Sequence, residues 1–136
     1  MLHRLSRNLV ITGTLLIWLI KWIIRPMEVG DEFTRYLMNV SPNLFGSFLI
    51  PFAAYWMFTG RDHLMARVFR ISNPFELKIV CILGFLMLVL NEYLQQIPLF
   101  GRTFDYNDIL FSSVGLIGSC IVFGKLQARQ LSAAVI

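Results

Sequence analysis

Four apolar runs divide this chain: Leu9–Ile24, Leu44–Phe58, Phe75–Leu90 and Ile109–Gly124, separated by charged or Pro/Gly-containing breaks. Each core is somewhat short of the roughly 20 residues that cross a bilayer. Flanking Trp, Tyr, Asn and Gln extend each one to about that length. Of the 136 residues, 57% are hydrophobic and 15% charged, where a soluble domain carries about 25% charged. In water so little polar surface would leave large apolar patches uncovered, so lipid is the solvent for most of the chain. Lipid offers no partner to an unpaired backbone group, which requires helices. The expected fold is an all-α integral membrane bundle of four transmembrane helices near residues 8–25, 42–59, 75–97 and 107–125. A single domain then covers residues 1–136.

The first run begins with His3, Arg4 and Arg7, as a cleaved signal peptide would. Its far end, Trp18-Leu19-Ile20-Lys21-Trp22-Ile23-Ile24-Arg25, is bulky and lacks a small-x-small cleavage pattern, so it reads as a spanning helix. Basic residues set the orientation. Arg4, Arg7, Arg61, Arg67, Arg70, Lys78, Lys125 and Arg129 fall on one side, with only Asp62 and Glu76 among them. Lys21, Arg25, Arg35 and Arg102 fall on the other, with Glu28, Asp31, Glu32, Glu92, Asp105 and Asp108. Both termini are therefore expected in the cytoplasm. The net charge of +4 reflects this topology, and no basic patch interleaved with aromatics points to nucleic acid.

The stretch Asn91–Gly118 concentrates the polar chemistry. Glu92 lies about five residues inside Ile97, or roughly 7 Å by helical rise. A carboxylate at that depth needs pairing, protonation or a wet cavity, and Gln95 and Gln96 continue its face. Pro98, Gly101 and Arg102 make the turn, and Arg102 has the fork to hold a carboxylate or phosphate. Asp105 and Asp108 follow three apart, with Asp105 or Asn107 able to cap the fourth helix. Ser112, Gly115, Gly118 and Ser119 make a small-residue face suited to close helix packing.

Elsewhere the pattern is plainer. Lys21 reads as a snorkelling anchor beside Trp18, Trp22 and Arg25, with pairing to Glu92 or an outer-loop carboxylate as the alternative. Pro26–Pro42 reads as an outer loop in which Glu28, Asp31, Glu32 and Arg35 form a short surface helix. Arg35 and Tyr36 lie close enough to the next helix to reach the outer pocket. Asn43, Gly46 and Ser47 precede Pro51, which is expected to kink the second helix and free a carbonyl. Phe69 and Ile71 among Arg67 and Arg70 suggest a short helix on the anionic leaflet. His3 and His63 have no metal-ligand companions, and no cofactor is expected. Cys81 and Cys120 sit in apolar runs as buried thiols, with no disulfide expected.

Glu92-x-x-Gln95, Gly101-Arg102-x-x-Asp105-x-x-Asp108 and Gly115-x-x-Gly118 together resemble the E-x-x-Q, G-R-x-x-D-x-x-D and N-x-x-G-x-x-G run of VanZ-like membrane proteins. Asn43-x-x-Gly46 with Pro51 is similar to that family's earlier N-x-x-G and Pro helix. The chain departs from the pattern at Ser112, where the family has Asn, and at Ser47. The resemblance implies a bacterial cell-envelope protein of the cytoplasmic membrane. The family is named for an accessory to glycopeptide-antibiotic resistance, and no reaction is firmly attached to it.

Three functions fit these residues. The preferred one is a non-catalytic protein with an outward polar pocket formed by Glu92, Gln95, Arg102, Asp105, Asp108, Asn43 and Ser112. It would bind a lipid-linked or cell-wall ligand, or a membrane protein partner. The second is a membrane enzyme using paired carboxylates as acid and base; no Ser–His–Asp set, metal-ligand set or phosphate-cradling loop accompanies them. The third is a small subunit or pore-forming homo-oligomer.

Overall fold

A computed structural model describes residues 1–28, 30–95, 97 and 105–136. Every regular element among them is helical. Helix α1 spans Leu2–Leu19 and runs on through a π turn, Ile20–Ile24, and a 3₁₀ turn, Arg25–Met27. Pro26 lacks the N–H that would continue the helix, and Glu28 turns into the left-handed region at φ 48°. Gly30 follows at φ 99°, a backbone conformation that suits a residue without Cβ.

Helix α2 then begins at Glu32 and runs to Phe48. Asp31 caps it, accepting from the Thr34 backbone N–H at 3.0 Å and from the Thr34 hydroxyl at 2.6 Å. The expectation of a loop to Pro42 is therefore corrected. Glu32 and Arg35 belong to the first turns of the second span, and Pro42 sits inside it. A good cap and an acidic first turn start the helix here; Pro42 costs one backbone bond within it and does not set its boundary.

Pro51 acts as expected. α2 ends at Phe48 and α3 (Ile50–Phe58) starts at once, with Pro51 in its first turn. At the break the Ser119 hydroxyl donates to the Phe48 carbonyl, so the fourth span stitches the interrupted second one.

The short α4 (Leu64–Phe69) is capped by His63, whose Nδ1 accepts from the Ala66 N–H at 3.2 Å. The predicted leaflet face is turned round. Ile71 is 2% exposed and Phe69 stacks on Phe58, whereas Leu64, Met65 and Val68 face outward. Helix α5 (Pro74–Leu94) opens with a reciprocal cap. Asn73 accepts from the Glu76 N–H, and the Glu76 carboxylate accepts from the Ser72 N–H. Helix α6 covers Tyr106–Val135.

Among the described residues, four helical stretches are long and apolar enough to cross a membrane: Leu2–Met27, Glu32–Phe58, Pro74–Leu94 and Tyr106–Val135. The bundle is held mainly by α2 on α6, with α5 against α6 and α1 against α3. Phe52 and Phe123 are fully buried, their rings edge-to-face at 5.2 Å. Tyr55 and Phe48 join this aromatic cluster. Leu77, Val80 and Leu116 complete the core. Ile82, Leu86, Leu90, Ile117 and Ile121 are exposed, the apolar exterior that a lipid-facing bundle requires.

On α6, Ser112, Gly115 and Ser119 turn toward α2, and Phe123 continues the same stripe onto Phe52 and Tyr55 of α3. A Cβ on Gly115 would collide with the Leu44 carbonyl and the Ser47 hydroxyl, so glycine sets how closely the two helices approach. Gly118, expected on the same face, meets nothing within 4 Å. It lies about 60° further round the helix, away from α2. The two thiols are free, as expected. The sequence does not show that they meet, yet Cys81 Sγ and Cys120 Sγ lie 2.7 Å apart where α5 crosses α6.

Candidate functional site

The buried stripe of α5 runs through Leu77, Val80, Cys81 and Gly84 and reappears at Glu92, which is 6% exposed. The helical period that buries the apolar residues also carries this acid inward. Its carboxylate accepts from the Asp105 backbone N–H at 3.2 Å and from the Gln95 amide at 3.3 Å. Asp105 in turn caps α6, accepting from the Asn107 N–H at 2.9 Å. The two carboxylates thus gather at the positive end of a 30-residue helix, where negative charge is favoured. Glu92 clasps the end of α5 to the start of α6.

Outside this clasp is a polar cup of about 490 Å³. Lys21 and Arg25 line it from the end of the first span, Tyr36, Asn39 and Asn43 from α2, and Asp105, Asn107 and Asp108 from α6, with Gln95 beside them. Arg25 donates from Nε to Asn39 Oδ1 at 2.8 Å, which ties the first span to α2. Asp108 is partly buried and feels the Asp105 charge, with Asn43 and Arg25 acting on it in the opposite sense. Beneath lies a smaller cavity of about 90 Å³, where Asn43, Gln95 and Asp108 meet Asn91, Glu92 and Ser112.

Of the residues expected to form the site, Glu92, Gln95, Asp108, Asn43 and Ser112 line the inner cavity together. Gln95, Asp105, Asp108 and Asn43 line the cup. Arg102 lies outside the described residues. Tyr36 reaches the cup, whereas Arg35 lines a separate recess of about 170 Å³ with Glu28 and Met38. Lys21 and Arg25, read from sequence as anchors, stand in the cup wall.

Asn39 was not singled out from the sequence. Its signal was the i, i+4 pair with Asn43 and Tyr36 one turn earlier, visible only once residues 32–42 are read as helix. Among the described residues no group of three or more His, Cys, Asp or Glu is arranged to hold a metal ion. The cup therefore offers fixed charges of both signs and amide groups at one end of an apolar bundle.

These features define a membrane-spanning helical bundle with a polar cup at one rim. Set against known proteins, the chain matches no family model, no curated protein and no solved structure.

Proposed function

We propose that this is a small cell-envelope membrane protein that binds, without chemical conversion, a charged ligand in the rim cup. The observation that carries this reading is the cup itself, about 490 Å³ lined by Lys21, Arg25, Asp105 and Asp108. Interaction sites of this size hold a small molecule or a headgroup. Binding is favoured over acid–base catalysis because Glu92, one of the paired carboxylates, is already engaged in the α5–α6 clasp. The basic-residue asymmetry supports an outward-facing cup with both termini in the cytoplasm. The resemblance of its motifs to VanZ-like proteins supports a bacterial cytoplasmic membrane and a lipid-linked or cell-wall ligand.

The test is a thermal-shift panel on purified protein in detergent, with phosphoethanolamine, glycerol phosphate and a muramyl peptide as probes. At least one probe is expected to raise the melting temperature of the natural chain and to leave Asp108→Asn and Lys21→Gln unmoved. Equal shifts in all three proteins, or none in any, would remove the cup as a binding site.

A further inference from the structure

The polar cup does not stand alone. Directly below it, between α1 on one side and α2 with α6 on the other, runs an apolar groove of about 620 Å³. Leu9, Thr12 and Leu16 line one bank, Phe45 and Phe48 the other, and Val114 closes it from α6. The first span, α2 and α6 line both cavities, and the cup alone adds Gln95 from the end of α5. Asn43 lines the cup and Leu44 the groove, while Lys21 and Leu16, or Asp108 and Val114, are five or six residues apart. By helical rise the nearest lining residues of the two cavities are roughly 8 Å apart along the first span and α6. The groove also explains an oddity of the first span, whose apolar window has 0% of its residues buried inside the protein. At its middle α1 touches the bundle through Gly13, which lies against the Leu49 side chain, and the groove opens beside that contact.

We propose that the cup and groove form one site for a membrane lipid with a zwitterionic headgroup, its phosphate at Lys21 and Arg25, its ammonium at Asp105 and Asp108, and one acyl chain in the groove. This rests on the reading of the cup as a ligand site. The headgroup class follows from charge complementarity, since the cations come from the first span and the carboxylates from the fourth. An anionic headgroup would satisfy one wall and be repelled by the other. The chain follows from position, because an apolar groove at membrane depth beneath a headgroup pocket is already where the lipid's tail hangs.

Native mass spectrometry of the purified protein, offered phosphatidylethanolamine, phosphatidylglycerol and diacylglycerol at equal concentration, tests this. Phosphatidylethanolamine is expected to be retained over the other two by about tenfold, the scale of one lost charge-assisted contact. Lys21→Gln in the cup and Thr12→Trp or Val114→Phe in the groove are each expected to erase that preference. Circular dichroism and gel filtration verify that the variants fold. On the unmodified chain, phosphatidylethanolamine with a diazirine in its acyl tail is expected to label α1 and α2 at the groove.

If Lys21→Gln loses the lipid while both groove variants keep it, or if soluble phosphoethanolamine displaces it fully, the cup binds a headgroup alone and the tail assignment falls. Preference for phosphatidylglycerol overturns the zwitterion. A change of oligomeric mass in Thr12→Trp without loss of lipid makes the groove a seat for a second copy, which also overturns the proposal. Indifference of every probe to Lys21→Gln removes the underlying cup reading as well.

Discussion

At the scale of single residues, Glu92 shows how an acid can sit 6% exposed near the end of a membrane helix. Among the described residues two donors reach its carboxylate, and one of them is the backbone N–H of the residue that caps α6. Glu92→Gln keeps an oxygen acceptor for that N–H, so a small loss of stability is expected. Glu92→Ala leaves the Asp105 N–H without its acceptor, at a cost of about 1–3 kcal/mol. Melting curves in detergent distinguish the two, and equal stability of Glu92→Ala and the natural chain would refute the clasp.

Asp31 gives a prediction in pH. The Thr34 hydroxyl and then the Thr34 N–H hold its carboxyl below the usual value of 3.8. A group whose pKa is depressed by folding adds stability above its unfolded value and loses it as pH falls through the folded one. The contribution is therefore complete at neutral pH and fades below about pH 4. In Asp31→Asn, an acid titration of the melting temperature should lack this component, and an unchanged slope would show that the cap does not act through its charge.

At the scale of elements, the α2–α6 contact depends on Gly115. Gly115→Leu forces a side chain against the Leu44 carbonyl and is expected to cost about 1–3 kcal/mol, as overpacking does. Gly118→Leu enters open space and should be near neutral. Similar losses from both would mean that the small-residue face has no preferred side. The α5–α6 crossing has its own reporter. With Cys81 and Cys120 in contact, an added membrane-permeant oxidant should join them within one chain. The readout is loss of two hydrogens by intact mass and of maleimide labelling.

Much of this was readable in advance. Apolar run lengths give the four spans, Pro51 gives the break in the second, and Asp105 gives the cap of the fourth. The start of α2 was hidden because Pro42 reads as a boundary, while the stronger signal, Gly30-Asp31-Glu32, lay inside an acidic stretch that looks like solvated loop. That error concealed Asn39. The inward aim of Arg25 and the meeting of the two thiols depend on which helices become neighbours, and residue spacing within one helix does not carry that.

At the scale of the whole molecule, the exterior is a largely apolar belt, with the mixed-charge cup at one rim and exposed Arg61, Arg67, Arg70, Lys125 and Arg129 toward the other end. If that rim faces outward, a cysteine at Asp105, in a chain with Cys81 and Cys120 replaced by Ser, reacts with an impermeant maleimide added to intact cells. Labelling only after the membrane is opened would reverse the orientation.

The first span has a mechanical side. Its only buried residues are Leu2 and Ser6 near the start, and Arg25 fastens the far end to Asn39. Between the tips Gly13 rests on the Leu49 side chain, a fulcrum about which the span can change tilt when the surrounding bilayer thins or thickens. Lys21 and Arg25 ride on its upper tip, so a change of tilt is expected to shift these cations relative to Asp105 and Asp108.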